Sequence, residues 1–544
     1  MVAMKTVYEA VYEEEVKTDP IAERSIADRI YGFVRKHELL VLGIVLVAVA
    51  ASSLVHSHHK QFWLDEIFTI IVSTQPDLHH FAAAIPAEGN PPLNTFLTRL
   101  AIKAFGVSEF SVRLVPLLGF LTALIGVYIF VRREAGRVFE ILAISLVIFG
   151  PVWRYSYEAR PYGLLLGMFM VALVGWQAAT NIKDRGLDRS RVPALFCLAL
   201  GILGCAFSHY IGLFEIGAPL LVGEAVRTYL RRRVDWAVVL TGFCCLPSLL
   251  FIVPMMRHTR DIAIVRSTVL QPPWTLEKIH SYFKWAGASW SLVMDGRIVC
   301  FVIVVALVTW SPFARKFSAD FVSDKSVEGI RPHVLWASVT ASLLIPITWL
   351  GLFYGRGWYF CRYGIGTALG IVLWFCLLLA KRRIRLPVLF AAVVTVVALQ
   401  YLLDFERELR GGTVSLGGNQ LISKYQASDL PVVVSSSYFY PTIWWYASAA
   451  EKPRVVFLTS ANSSPDLMTA GILAEKPYFH APILDFESFT RRTPHFLMEA
   501  DESASGDERP DSTKLLLESK GFEVKLIDTW DNFMLFDVTK REQP

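Results

Sequence analysis

The sequence predicts a polytopic α-helical membrane protein of about eleven transmembrane helices, followed by a small extracytoplasmic α/β domain. Three observations predict it. Of the 544 residues, 54% are hydrophobic, and the mean hydropathy of +0.44 is too high for soluble domains with wet surfaces. Apolar runs recur at the roughly 17 to 25 residues that a bilayer core requires. After residue 404 the character changes, and strand-like segments replace the long apolar runs.

The leader, residues 1–37, carries Glu13 to Glu15 and few apolar side chains, so it reads as a mobile cytosolic segment. The first apolar run, Leu39 to Val55, follows this charged leader and lacks the pattern of a cleavable signal peptide. Further spans begin near Leu114, Val138, Tyr162, Val192, His209, Ala237, Ile298, Val334, Tyr363 and Leu386, so residues 38–404 form the membrane portion. Glu140 and Pro151 interrupt the third span.

The formal net charge of +5 matters less than where the cations lie. Arg132, Arg133 and Arg137, then Lys183 to Arg191, then Arg227 to Arg233, then Lys381 to Arg385 fall in short connections on one side. The positive-inside rule makes that side cytoplasmic. The first loop, residues 56–113, and the tail, residues 405–544, then face outward. The expected location is the plasma (inner) membrane with extracytoplasmic chemistry. All seven cysteines lie in or beside apolar runs and none in the tail, which argues against a disulfide framework.

The first outer loop opens with "FWLDEIFTI", where Asp65 and Glu66 follow an aromatic pair. Adjacent carboxylates there are either a helix cap or solvated loop charges, or Asp65 is a general base close to the membrane surface. In "AEGNPPLNTFLTRLAIKAFG", Glu88 and Asn90 precede a double proline. An amphipathic interfacial helix follows, with Leu93, Phe96, Leu97, Leu100, Ile102 and Phe105 as its apolar face and Arg99 and Lys103 near headgroups. Glu88 is either scaffold or a second acidic or acceptor-site residue.

In "RYSYEARPYGLLL", Glu158 and Arg160 stand at the outer mouth of an uncharged helix. They either pair with each other or serve a ligand, and a lipid phosphate suits Arg160. "FSHYIGLFE" offers His209 and Tyr210, with Glu215 deeper in the helix. "GRGWYFCRYGIG" offers Arg356, Arg362 and Tyr363, and its two guanidinium groups suit a phosphate or diphosphate. His56, His58 and His59 superficially suggest metal ligands, but they directly follow a span and read as interfacial residues.

In the tail, "PVVVSSSYFYPTIWWYAS" predicts a strand entering a helix, and "RVVFL" a second strand. "FEVKLIDTWDNFMLFDV" predicts two strands joined at Asp531 and Asn532, and residues 500–513 read as a mobile loop.

Taken in order, "WLDE", "EGNPPL", "YEARPYGLLL", "SHY" and "CRYGIG" resemble the GT-C membrane glycosyltransferases of the dolichyl-phosphate-mannose protein mannosyltransferase and lipid A aminoarabinose transferase superfamily. The resemblance implies a GT-C-like membrane domain and a polyprenyl phosphate sugar donor. It implies an extracytoplasmic acceptor, whether protein, lipid or glycan, within the cell envelope, and no nucleic acid partner. It makes Asp65 the catalytic carboxylate with Glu66 as its neighbour, and sets Glu158, Arg160 and Tyr162 near the active cavity. Arg362 and Tyr363 then lie near the donor phosphate. Relatives often carry His where this chain has Asn90, which leaves the role of that position and any divalent metal open. The implied reaction is an inverting displacement. A transporter or flippase of lipid-linked sugars is the rival reading, disfavoured because the charges gather at the outer boundary and no matching half-repeats are visible.

Overall fold

In a computed structural model, the described residues are 36–136, 139–181, 189–264, 330–348, 361–381, 417–459, 472–502 and 510–541, with a few isolated positions besides. The spans expected near Ile298 and Leu386, together with Arg356, lie outside them.

Helix α1 (Glu38–His59) leads into three short helices, α2 (Leu64–Ser73), α3 (Leu78–Glu88) and α4 (Leu93–Phe105). There follow α5 (Glu109–Ala135), α6 (Phe139–Phe149), a 3₁₀ turn over Pro151–Ser156, α7 (Tyr162–Asn181), α8 (Val192–Ser208) and α9 (Gly212–Arg231). A broken helix runs through α10 (Trp236–Gly242), a 3₁₀ turn (Phe243–Ser248) and α11 (Leu249–Ile264). Next come α12 (Pro332–Ser342), a 3₁₀ turn (Cys361–Gly364) and α13 (Gly366–Lys381).

Among the described residues, four helical stretches are long and apolar enough to cross a membrane: Glu38–His59, Glu109–Ala135, Tyr162–Asn181 and Trp236–Met255. Phe139–Phe149, Val192–Ser208 and Gly366–Lys381 are shorter apolar helices. Their shared core holds Phe120, Phe130, Phe169, Trp176 and Phe375 at full burial. Helices α5 and α7 approach almost backbone to backbone. A Cβ at Gly119 would meet the Gly163 carbonyl oxygen at 2.5 Å, and one at Gly167 would meet the Gly119 carbonyl at 2.5 Å. Small residues four apart thus set the contact, as in the small-xxx-small packing of membrane helices.

Helix α4 turns a polar face inward and an apolar one outward. Asn94, Thr95, Thr98 and Arg99 are buried, whereas Phe96, Leu100 and Phe105 are exposed. Phe96, Leu100 and Phe105 of the predicted stripe face outward, whereas Ile102 is buried in the core around α2, and Arg99 is buried rather than near headgroups. Its guanidinium donates to the carbonyls of Ser73 and Gln75 and lies over the Phe81 ring, so it ties the end of α2 to α4.

Residues 417–541 build a six-stranded sheet with strand order β3-β2-β1-β4-β6-β5. The elements are α14 (Gly417–Lys424), β1 (Val432–Val434), α15 (Tyr440–Tyr446), β2 (Val455–Thr459), β3 (Ile483–Asp485), α16 (Phe486–Arg492), β4 (His495–Asp501), α17 (Pro510–Ser519), β5 (Phe522–Trp530) and β6 (Phe533–Lys540). Strand β1 runs parallel to both β2 and β4, while β6 is antiparallel to β4 and β5. The strand-to-helix passage at 432–446 and the hairpin at Asp531 and Asn532 form where the sequence predicts them. Of the loop expected over 500–513, residues 503–509 lie outside the described residues, and its two ends belong to β4, which runs to Asp501, and to α17, which begins at Pro510.

One face of the sheet buries Phe486, Phe496, Phe522 and Phe536. The other face packs directly on the segment between α1 and α5: Val432, Val434, Tyr440 and Leu497 share a core with Phe62, Leu64, Ile67 and Phe68 of α2 and its approach. The Phe62 N–H donates to the Tyr446 hydroxyl at 2.9 Å, and that hydroxyl donates to Glu109 at 3.1 Å. The loop that carries the candidate acid is therefore clamped between helices and sheet.

Candidate functional site

Helix α2 begins directly after Trp63, so Asp65 and Glu66 both lie in its first turn. Successive helical residues point about 100° apart, and the two acids meet different partners. Glu66 is fully buried. Arg113 grips it with two donors, at 2.8 and 2.7 Å, and the Ala159 N–H adds a third at 2.7 Å. The Trp63 N–H donates to it at 3.3 Å, so the helix-cap reading describes Glu66. Burial alone would raise its carboxyl, but the charge and hydrogen bonds of Arg113 outweigh this and hold it below the usual carboxylate range. Arg113 also donates to the carbonyls of Ser57, Lys60 and Gln61, which fastens the end of α1 to the start of α2.

Asp65 faces two arginines from distant parts of the chain. Arg160 Nε lies 3.5 Å from Asp65 Oδ2, and Arg362 Nη2 lies 3.7 Å from the same oxygen. Arg160 stands just before α7, and its Nη1 reaches the Asp65 carbonyl at 3.0 Å and Glu88 Oε1 at 3.1 Å. Arg362 comes from the 3₁₀ turn before α13 and lies between the rings of Trp63 and Tyr162, 5.9 and 5.6 Å from their centroids. Stacking of this kind orients the guanidinium plane without consuming its N–H donors.

Glu88 ends α3 at a left-handed Gly89, whose φ of 77° suits glycine. That turn brings the Asn90 N–H onto Glu88 Oε2 at 3.0 Å, and the Thr69 hydroxyl donates to Oε1 at 3.0 Å. Burial raises the Glu88 carboxyl, Arg160 opposes the rise, and the charge of Asp65 adds to it. Arg160 keeps its charge despite burial because Asp65 and Glu88 flank it. His209 lies between Tyr162 and Tyr363, at ring separations of 5.4 and 5.2 Å.

Asp65, Glu88, Asn90, Arg160, Tyr162, His209, Arg362 and Tyr363 thus form one connected group. Glu158 does not pair with Arg160: it takes Lys60 at 2.8 Å. Tyr210 follows His209 in the turn that opens α9, and the Ile211 N–H donates to His209 Nδ1 at 3.2 Å. Trp63, Thr69 and Tyr155, which lines the group by contact with Tyr162 at 5.0 Å, were not legible as site residues because nothing in their spacing separates them from packing. The sheet domain adds Tyr438, whose hydroxyl is raised by burial and by the nearby charge of Asp65.

The histidines expected to follow the first span form instead the last turn of α1. His56 donates from Nδ1 to the Ser52 carbonyl at 2.8 Å and contacts the rings of Trp153 and Tyr157. Among the described residues, the cluster with metal-ligand spacing is Asp77, His79 and His80, all exposed and apart from the site.

No family model matches the chain, and no curated protein matches it. Among solved structures it is similar to ArnT from Cupriavidus metallidurans in the apo state, with a TM-score of 0.44 and 13% identity over 92% of this chain and 97% of that one. The same protein bound to undecaprenyl phosphate gives a TM-score of 0.42 and 14% identity over 92% of this chain and 97% of that one. It is similar also to the Archaeoglobus fulgidus oligosaccharyltransferase in the apo form, with a TM-score of 0.46 and 13% identity over 91% of this chain and 73% of that one. Likeness of this degree leaves the functional reading to the side chains.

Proposed function

We propose that the chain is an integral-membrane glycosyltransferase that moves a sugar from a polyprenyl phosphate donor to an extracytoplasmic acceptor, with Asp65 as the base. The observation that carries this reading is the meeting of Arg160 and Arg362 at a single oxygen of Asp65, 3.5 and 3.7 Å away. The ordered motifs and their resemblance to the GT-C superfamily support it from the sequence side.

A guanidinium has five N–H donors, more than one carboxylate absorbs, and its fork matches phosphate oxygens. Two such groups at the mouth of apolar helices suit a headgroup phosphate whose greasy chain runs along those helices. In the reaction, Asp65 takes the proton from an acceptor O–H or N–H as the acceptor atom bonds to the anomeric carbon. The bond from that carbon to the phosphate oxygen breaks on the opposite face, and polyprenyl phosphate leaves with the electron pair. The configuration at that carbon inverts. A phosphate is already an adequate leaving group, so the arginines supply charge stabilisation and no strong acid is needed.

Glu66 and Glu158 take supporting parts in this scheme. Glu66 holds the loop through Arg113, and Glu158 holds Lys60. Glu88 orients Arg160, and Tyr162, His209 and Tyr363 line the wall beside Arg362.

Detergent micelles have no two sides, so purified protein in detergent separates an enzyme from a flippase. Release of polyprenyl phosphate from a radiolabelled polyprenyl phosphate sugar, with the product glycoside inverted by NMR, is the expected result. Binding of the intact lipid with no release by protein supplied with envelope acceptors would contradict the reading.

A further inference from the structure

The segment between β2 and β3 leaves the sheet and docks on the first outer loop. The Tyr478 hydroxyl donates to the Ala83 carbonyl of α3 at 2.8 Å, and its ring joins a small core with Val72, Phe81 and Ala84. Ile472 and Phe479 bury themselves in the core shared by the sheet and α2. Between these anchors stands Glu475. It is 0% exposed, and among the described residues neither carboxyl oxygen has a hydrogen-bond partner. A buried carboxyl with both oxygens unmatched is costly unless a ligand completes it.

Its surroundings narrow that ligand. Burial pushes the Glu475 carboxyl well above the usual range, Glu88 pushes it further, and Arg160 opposes them, so two of the site's charged groups act on it. A phosphate ligand is disfavoured, because a third acid beside Asp65 and Glu88 repels an anion or, when protonated, offers it a single donor. A metal ion is disfavoured too. Among the described residues the cluster of three or more groups within ligand distance is elsewhere, at Asp77, His79 and His80. A sugar hydroxyl remains, since it both donates to and accepts from a carboxyl group.

We propose that Glu475, carried by the C-terminal sheet domain, is a substrate-recognition residue that hydrogen-bonds hydroxyl groups of the donor sugar held at Asp65, Arg160 and Arg362. This rests on the transferase reading and adds to it a specificity contact from the sheet domain. The sheet then takes part in choosing the sugar as well as covering the first loop.

The test compares binding of bare polyprenyl phosphate with that of polyprenyl phosphates bearing a hexose, an aminohexose or a pentose, using the purified full chain. The unsubstituted protein is expected to bind at least one sugar-bearing lipid about tenfold more tightly than the bare lipid, the worth of a buried hydrogen bond or two. Glu475→Ala removes that increment and raises KM for the sugar donor, while its affinity for the bare lipid, which also reports correct folding, stays the same. Glu475→Gln, which keeps one donor and one acceptor, retains part of the increment. Equal discrimination among sugars by both variants and the unsubstituted protein would overturn the role of Glu475 and leave the transferase reading standing. Failure of the unsubstituted protein to discriminate any sugar-bearing lipid from the bare one would likewise overturn the role of Glu475, while absence of polyprenyl phosphate release by the same preparation would overturn the transferase reading.

Discussion

Asp65 and Glu66 are neighbours with opposite tasks, and substitutions separate them. Glu66→Gln removes the charge that compensates the buried Arg113. Breaking a buried ion pair on one side costs about 3 to 5 kcal/mol, so thermal unfolding of this variant in detergent should shift down by several degrees or more. Arg362→Lys keeps a positive charge but loses the fork that stacks over Trp63 and Tyr162. Affinity for polyprenyl phosphate should fall by about tenfold, read by direct binding, with thermal stability little changed. Much of the site was legible at this scale. Arginines at helix ends that the positive-inside rule assigns to the outer side have no topological reason to be there, which marked Arg160 and Arg362. The motif singled out Asp65 of the two adjacent acids; what was not legible is the fate of Glu66, because it depends on Arg113, a buried partner distant in the chain. Glu475 carried no signal, since a single acid in "GILAEKPYFH" looks like any surface charge until the segment is folded onto α3.

The helices position the site through contacts that tolerate little change. Gly163 opens the second residue of α7, three positions after Arg160, and a Cβ there would press into backbone carbonyls of Pro116 and Tyr155. Gly163→Leu should force α5 and α7 apart, lower thermal stability by about 2 kcal/mol or more, and weaken donor binding by displacing Arg160. Unfolding temperature and polyprenyl phosphate affinity check this together. The apolar runs announced these helices because lipid-length stretches have no other home. Helix α4 was half legible: its apolar stripe gave the exposed face, but a hydropathy pattern does not tell that Arg99 spends its donors on the carbonyls closing α2. Strand β4 escaped because it is central and buried along almost all its length, so the alternation that marks half-buried strands is missing. Strand β3 is only three residues long, too short for any period to emerge.

At the scale of the whole molecule, the sheet domain is welded to the segment between α1 and α5 by a shared apolar core and by Tyr446 and Tyr478. Its own stability carries a pH dependence. Burial, with Asp501 adding, pushes the Glu499 carboxyl up to about 8 from a usual 4.5. An acid with a raised pKa in the folded state contributes its full stabilisation below the unfolded value and loses it as the pH rises through the folded one. Stability should therefore decline between about pH 4.5 and 8, by at most about 1.4 kcal/mol for each unit crossed. Unfolding temperatures across that range check this, and Glu499→Gln should flatten the decline. The change from apolar helices to strands after residue 404 was readable along the chain, whereas the joint between sheet and loop was not. That joint depends on Phe62 meeting Trp445 and Tyr446, residues nearly four hundred positions away.

The central claim is that Asp65 removes the acceptor proton while Arg160 and Arg362 hold the donor. Single-turnover release of polyprenyl phosphate by Asp65→Asn, at saturating donor and with donor affinity measured on the same preparation, tests it most directly. The expected result is a rate at least about a hundredfold lower with donor still bound. Release at the unsubstituted rate would contradict the assignment.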